Sequence, residues 1–208
     1  MLRLHLRSKR DCHHLITFNA TLLSSSIQLE VMRETEVKII EINRHKIEQT
    51  LTALKAVKIF DAEITTIFLD FIDNRIQKGK NVLRLRKQPD KVELTYKKVE
   101  TEQTVKIAEE YTVEVSSLDS IINIMQKIGL IITQKMQKHR VSYKIDNVRF
   151  DIDRYTGDYG FIPELLEIEG TPMEIKKYAE LLGFQTKDCL AWSTDDLIRH
   201  YSNIEDSH

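Results

Sequence analysis

Carboxylates that could bind a metal ion alternate with apolar residues in short, strand-like segments. Segment 34–38 has charged residues at positions 34, 36 and 38. The segments 148–153 and 166–169 have the same alternation of charged and apolar residues. Alternate side chains of an extended chain point to the same face, so each segment gathers its charges on one side. The carboxylates considered as ligands are Glu34, Glu36, Asp153, Glu167 and Glu169. Carboxylates without histidine or cysteine partners favour a hard cation bound through oxygen, Mg²⁺ or Mn²⁺.

A second set of charges is basic and lies between the acidic segments at 34–38 and 166–169. Arg84 and Arg86 share one face of the segment 82–86, Lys97 lies in the next segment, and Arg140 follows later. The planar guanidinium group matches phosphate oxygens, and several buried basic groups require a multiply charged anion. A polyphosphate with its metal ion would satisfy both sets, because buried charges must be paired.

The common explanation of such alternation is an antiparallel sheet that buries its apolar face and exposes its charged face to water. Two observations favour a different arrangement. The strands are sorted by the sign of their charge, whereas a solvated face usually mixes the signs. Helices with apolar faces are also available to cover the apolar side of a curved sheet. A barrel of about eight strands would turn the charged face into an interior that holds a small ligand.

The order of the segments predicts an α+β fold dominated by antiparallel strands. Strand-like alternation occurs over 34–40, 82–86, 92–98, 110–115, 140–145, 148–153 and 166–169. Short connections at 87–91 and 146–147 predict hairpins, and hence antiparallel pairing. Helix N-caps are predicted at Asn43, Ser117 and Thr171, and a last helix is predicted to begin at Ser193 or Thr194.

The motifs, taken in order, resemble those of the CYTH superfamily, the triphosphate tunnel metalloenzymes. The resemblance is carried by the ExExK pattern at 34–38, the RxR pattern at 84–86, the lysine strand at 94–97 and the closing ExE at 167–169. Residues 110–114, Lys138-His139-Arg140 and Asp153 continue it, so it covers roughly 32–203. It implies an eight-stranded antiparallel β-barrel, a triphosphate tunnel with helices packed outside, that binds triphosphate with basic side chains and one or two divalent cations.

The same resemblance assigns roles to individual residues. The metal ligands would be Glu34, Glu36, Asp153, Glu167 and Glu169. The phosphate ligands would be Lys38, Arg84, Arg86, Lys97 and Arg140, with Lys138 as a further candidate. Catalysis is assigned to Glu36, Lys38 and Glu169, while Glu110 and Glu114 would face the tunnel as partners of a metal-bound water. Thr112 stands where many members of the family have an acidic residue. This departure weighs against a second metal ion in the site.

Three functions remain open at this level. The first is metal-dependent hydrolysis of a triphosphate, with inorganic triphosphate, thiamine triphosphate and nucleoside triphosphates all open as substrates. The second is cyclisation of ATP, as in the class IV adenylate cyclases, although the sequence lacks their N-terminal His-Phe signature. The third is a catalytically silent module that binds polyphosphate or nucleotide. All three take a small-molecule triphosphate, and a homodimer is left open.

The composition places these segments in one ordered domain. Of the 208 residues 41% are hydrophobic and only 3 are proline, which is typical of a globular protein. The formal net charge of −1 does not indicate nucleic-acid binding. Two cysteines and the lack of a long apolar run favour a reducing, cytoplasmic compartment without a membrane span. Residues 1–31 are interpreted as an extension before a start codon at Met32, and 32–208 as the tunnel domain.

Overall fold

The strands of this protein form a closed antiparallel barrel. We use a computed structural model that describes residues 32–101 and 106–205. In this part of the chain the strands are β1 (Met32–Ile39), β2 (Val57–Phe71), β3 (Asn81–Lys87), β4 (Val92–Thr101), β5 (Lys106–Val115), β6 (Leu130–Ile145), β7 (Val148–Thr156) and β8 (Leu165–Glu169). Their order around the barrel is β1-β5-β4-β3-β2-β6-β7-β8. The barrel closes because β1 pairs with both β5 and β8. The predicted fold class is confirmed.

The predicted turns set the register of two strand pairs. The turn at Asp146-Asn147 joins β6 to β7, with Asp146 in the left-handed region at φ 50°. In the loop between β3 and β4, the backbone N–H of Gln88 donates to the carbonyl of Lys91 at 2.9 Å. Because side chains alternate along each strand, these registers decide which residues face the interior.

Five α-helices lie outside the strands in the described residues. They are α1 (Arg44–Ala53), α2 (Arg75–Lys78), α3 (Leu118–Lys127), α4 (Pro172–Leu181) and α5 (Thr194–Glu205). The predicted N-caps are present: the Asn43 side chain accepts from the backbone N–H of Lys46, the Ser117 side chain accepts from that of Ser120, and Thr171 forms a capping box with Glu174. Each such cap stabilises a helix by about 1 kcal/mol.

The apolar core lies between the helices and the outer face of the barrel. Ile47 and Leu51 of α1 pack in one cluster with Ile175 and Tyr178 of α4 and with Phe150 of β7. The ring of Tyr178 meets that of Phe150 edge-on, with centroids 5.3 Å apart. A fully buried side chain of this size contributes about 1.5–3 kcal/mol through the hydrophobic effect. This cluster therefore holds outward-facing apolar residues, and the charged residues of the same strands are left to the interior.

Two features differ from the sequence prediction. Strand β2, 15 residues long, was not among the predicted strands. Strand β6 begins at Leu130 rather than at 140. The predicted extension, residues 1–31, lies outside the described residues. Within those residues, no helix combines the length and the hydrophobicity that a membrane span requires.

Candidate active site

The barrel encloses a cavity of about 1150 Å³, lined by side chains from all eight strands. Pockets for small organic ligands usually occupy about 300–1,000 Å³, so this cavity can hold one. The predicted site residues that line it are Glu36, Lys38, Arg84, Arg86, Lys97, Glu110, Lys138, Arg140 and Glu167. The sorted charges of the sequence are thus collected in one space.

Arg84 and Arg86 lie side by side on the inner face of β3, and both are partly buried. The Nε atoms of both side chains are buried without a hydrogen-bond partner in the described part of the chain. Arg84 lies 3.8 Å from Glu110, while no ion pair between described residues includes Arg86. Repulsion by Arg84, burial and Arg140 lower the pKa of Arg86 to about 10. A buried positive charge without an ion-pair partner is costly, so a bound anion would stabilise Arg86 in this position.

Arg140 on β6 is the centre of a buried ion network. Its Nε donates to Asp153 Oδ1 at 2.6 Å, and one terminal nitrogen donates to Asp153 Oδ2 at 2.6 Å and to Glu167 Oε2 at 2.6 Å. The other terminal nitrogen contacts Asp151 Oδ2 at 2.5 Å. Burial disfavours this charge, but the surrounding carboxylates outweigh burial and raise the pKa of Arg140 well above its ordinary value. Arg140 is therefore held in one orientation.

Two lysines of the interior, Lys38 and Lys138, have opposite pKa shifts. Burial opposes the charge of Lys38, but Glu167 at 2.9 Å and Glu36 at 3.3 Å outweigh it and raise the pKa of Lys38. Burial and the positive charge of Arg140 lower the pKa of Lys138 to about 8, although its Nζ lies 2.5 Å from Asp153. Lys38 thus keeps its proton at neutral pH, whereas the lowered pKa of Lys138 lies closer to neutral pH.

Asp153 is completely buried, and both of its oxygens accept hydrogen bonds from basic groups. Burial opposes its charge, but Arg140 and Lys138 outweigh burial and lower the pKa of Asp153. In this arrangement the carboxylate holds two of the predicted phosphate ligands in place. Its role as a metal ligand, which the resemblance implies, stays a prediction.

Three glutamates gather where β1 pairs with β8. Glu36 lies directly opposite Glu169, and Lys38 lies opposite Glu167. Neighbouring carboxylates on one sheet face repel each other unless cations accompany them. Here Lys38 contacts Glu36 and Glu167, and Arg149 contacts Glu169 at 2.7 Å. Carboxylate oxygens are the ligands that a hard cation prefers. Here they come from two paired strands beside a polar cavity.

The remaining acidic candidates divide into three cases. Glu110 is buried and forms ion pairs with Lys97 and Arg84. Glu114 is exposed and is not among the residues that line the cavity. Glu34 lies in β1 opposite Ala108, but its side chain lies outside the described residues. No group of three described carboxylates, histidines or cysteines has the spacing of a formed metal site.

Some residues of the cavity wall were not singled out in the sequence as site residues. Asp151 is almost fully buried, and its Oδ1 has no hydrogen-bond partner in the described residues. Its signal was present, since it shares the charged face of β7 with Asp153. The wall residues Thr66, Phe68, Met136, Tyr155 and Tyr159 are uncharged and gave no such signal.

A closed antiparallel barrel with a sorted, charged interior defines the class of protein, and comparison with known proteins gives the family. Residues 32–191 match the model of the CYTH domain, so the chain belongs to the CYTH domain family. A protein of Methanocaldococcus jannaschii named "Putative adenylate cyclase" is 24% identical over 170 residues, which cover 81% of this chain and 95% of that protein.

Solved structures share the fold. The PH1012 protein of Pyrococcus horikoshii has a TM-score of 0.66 and 24% identity, covering 79% of this chain and 98% of that one. A "putative adenylate cyclase" of Vibrio parahaemolyticus has a TM-score of 0.69 and 15% identity, covering 82% and 99%. A "putative adenylyl cyclase" of Hippeastrum, described with a dominant triphosphatase activity, has a TM-score of 0.58 and 14% identity, covering 80% and 95%.

Proposed function

We propose that this protein binds a small-molecule triphosphate in the barrel and hydrolyses its terminal phosphoryl group with the help of Mg²⁺ or Mn²⁺. The observation that carries the proposal is the cluster of Arg84, Arg86 and Arg140, in which Arg86 forms no ion pair with a described residue and its buried Nε has no hydrogen-bond partner there. Several basic groups held together in one partly enclosed cavity favour a polyanion. The family membership supports the same ligand class.

The basic residues would have different roles in binding the triphosphate. Arg140 and Lys138 are held by Asp153, so their positions are set before a ligand arrives. Arg84 and Arg86 have unused donors and would contact phosphate oxygens first. Lys97 lies on the neighbouring strand, in an ion pair with Glu110. Positioned donors of this kind stabilise the charge of a phosphoryl-transfer transition state without further reorganisation.

The acidic side of the cavity would hold the cation. Glu36, Glu167 and Glu169 are its proposed ligands, and Glu34 and Asp153 remain proposed ligands from the resemblance. A bound divalent cation neutralises phosphate charge and lowers the pKa of a water molecule. Lys38 lies between Glu36 and Glu167 and keeps its proton, so it is proposed to stabilise negative charge on the phosphoryl oxygens.

The test is phosphate release from inorganic tripolyphosphate, thiamine triphosphate and ATP with Mg²⁺ or Mn²⁺, and with EDTA. We expect orthophosphate from at least one substrate, with no release in EDTA. Arg86→Ala should lose most of this activity, whereas Arg154→Ala, which removes an exposed arginine next to the buried Asp153, should keep it. Binding of a triphosphate without turnover under any metal would instead identify a silent binding module.

The alternative enzyme function is cyclisation of ATP to cyclic AMP. It is supported by the name of the Methanocaldococcus jannaschii relative. The same phosphate-binding residues would serve it, but a ribose hydroxyl would attack the α-phosphorus and release pyrophosphate. Chromatography of the products from ATP separates the two functions, because hydrolysis gives ADP and orthophosphate. Cyclic AMP with pyrophosphate would replace the hydrolase proposal by this one.

A further inference from the structure

Exposed isoleucines are concentrated at one end of the barrel, where β2 ends and β6 begins. They belong to the turn after β2, to the end of α3 and to the start of β6, and we call them the isoleucine patch: Ile72, Ile124, Ile128, Ile131 and Ile132. Ile72 is 81% exposed and Ile128 is 61% exposed. Single exposed apolar side chains are common, but a group of them marks an interaction surface.

The backbone brings these segments to the same place. Phe71, the last residue of β2, pairs with Leu130, the first residue of β6, so Ile72 and Ile128 lie just beyond the same end of this strand pair. The backbone N–H of Asn74 donates to the carbonyl of Phe71 at 2.8 Å, which closes a tight turn. This turn presents Ile72 to the solvent.

Basic side chains border the patch, three of them in and around α2 and one at the end of α3. They are Arg75, Lys78, Lys80 and Lys127, and all four are exposed. The guanidinium carbon of Arg75 lies 4.3 Å from the centre of the Phe71 ring, directly before the turn. No ion pair between described residues includes any of the three lysines.

The acidic residues near the patch do not neutralise these lysines. Asp73 is paired with Arg75 at 3.0 Å. Asp70 is buried and accepts backbone hydrogen bonds from α2. Asp119 lies in the first turn of α3, a helix length away from Ile128, and Asp195 accepts a hydrogen bond from the side of α2 that faces α5. The patch therefore has a local excess of positive charge, although the formal net charge of the whole chain is −1.

We infer that the isoleucine patch docks on a lipid surface with anionic headgroups. Aliphatic side chains enter the boundary between headgroups and acyl chains, and flexible lysine side chains reach the headgroups around them. A second copy of the chain fits less well, because its lysines would face these lysines across the contact. A protein partner also fits less well, since the centres of protein interfaces are enriched in aromatic residues and this patch consists of isoleucine. The inference does not depend on the proposed function.

The experiment measures co-sedimentation of the full chain with vesicles of phosphatidylcholine, or of an equal mixture of phosphatidylcholine and phosphatidylglycerol. Ile72→Asp places a charge in the turn, and Ile72→Leu keeps an apolar side chain there. Val57→Asp is the matched control, because Val57 is 63% exposed at the other end of β2. Lys78→Ala and Lys127→Ala test the charges, with the exposed Lys187→Ala as their control. Circular dichroism confirms that each variant is folded.

We expect the wild type to bind the mixed vesicles, to bind pure phosphatidylcholine far more weakly, and to dissociate as salt is raised. Ile72→Asp should weaken binding by at least about tenfold, because an apolar side chain no longer enters the lipid, whereas Ile72→Leu should change it by less than about twofold. Each of the two lysine variants at the patch should weaken it by about fivefold. Both controls should behave as the wild type.

Three results would overturn the inference. The first is the absence of binding to mixed vesicles, or equal losses in Ile72→Asp and Val57→Asp. The second is release from the vesicles by tripolyphosphate at constant ionic strength, which would show that lipid phosphate enters the barrel cavity instead. The third, measured by light scattering, is a wild-type dimer that Ile72→Asp converts to a monomer, which would assign the patch to a second copy of the chain.

Discussion

Arg140 and Asp153 face each other across the β6–β7 pair, and the guanidinium contacts both carboxylate oxygens at 2.6 Å. This bidentate contact is completely enclosed, because Asp153 has no exposed surface. Removing one partner of a buried ion pair leaves the other charge uncompensated. The pair therefore connects the stability of the barrel to the geometry of its phosphate-binding side.

The first prediction concerns Asp153→Ala. We expect it to lower the free energy of unfolding by about 3–5 kcal/mol, since Arg140 loses two hydrogen bonds and Lys138 loses one. Urea denaturation followed by circular dichroism measures the change. Asp158→Ala, at an exposed position between β7 and β8, serves as the control and should change it by less than about 0.5 kcal/mol. A loss for Asp153→Ala as small as the control would show that the pair does not stabilise the fold.

The second prediction separates binding from stability at Arg86. Arg86→Ala should raise KM for the triphosphate roughly 10- to 100-fold, which corresponds to one charge-assisted hydrogen bond. The same change should leave the free energy of unfolding equal or higher, because it removes repulsion from Arg84 and Arg140. Steady-state kinetics and urea denaturation give the two values. A variant that loses stability and keeps its KM would contradict this role.

The third prediction is a pH dependence caused by Lys138, whose pKa is lowered to about 8 from an ordinary value of 10.5. Above pH 8 the folded protein loses this charge, so KM for the triphosphate should rise between pH 7.5 and about 9. The unfolded chain keeps the proton up to pH 10.5, hence this group makes folding more favourable as pH rises from 8 to 10.5. In Lys138→Arg both dependences should disappear, because arginine stays charged; if they persist, another group titrates.

The fourth prediction concerns the glutamates where β1 meets β8. Glu36→Gln and Glu169→Gln should each abolish turnover and also remove the rise in melting temperature that Mg²⁺ gives to the wild type with a bound triphosphate. Differential scanning fluorimetry measures the shift independently of activity. Glu180→Gln, an exposed position on α4, should behave as the wild type. A full Mg²⁺ shift in both site variants would place the cation elsewhere.

The sequence predicted those strands whose inward residues are charged, because charge alternating with apolar residues has a clear period of two. Strand β2 was missed because its buried residues include Ile64 and Thr66 on one face and Ile67 and Leu69 on the other. Asp61 and Glu63 are its only charges at alternate positions, and the residues from Ile64 to Leu69 are uncharged, so the alternation that marked the other strands is confined to one end of β2. The uncharged wall residues Thr66 and Phe68 of this strand were missed for the same reason.

The contacts of the ion network depend on the register of the paired strands. The sequence predicts this register only where a short turn joins the two strands. Counting back from the turn at Asp146-Asn147 places Arg140 opposite Asp153, as the structure has it. The closure of β1 against β8 has no such local marker, since no short turn joins these strands. Glu36 and Glu169 could therefore be assigned to one site by resemblance, but not placed opposite each other.

The pairing of β1 with β8 also determines when the interior can assemble during folding. Strand β1 must pair with β8, and six strands lie between them in the chain. Contacts between such distant segments form slowly, because a long loop has to close. Until that closure Glu36 and Lys38 are separated from Glu167 and Glu169. On the ribosome, the inner face of β3, with its two arginines, is synthesised long before β8 can complete the acidic side. The nascent chain thus exposes a basic surface that the finished barrel encloses.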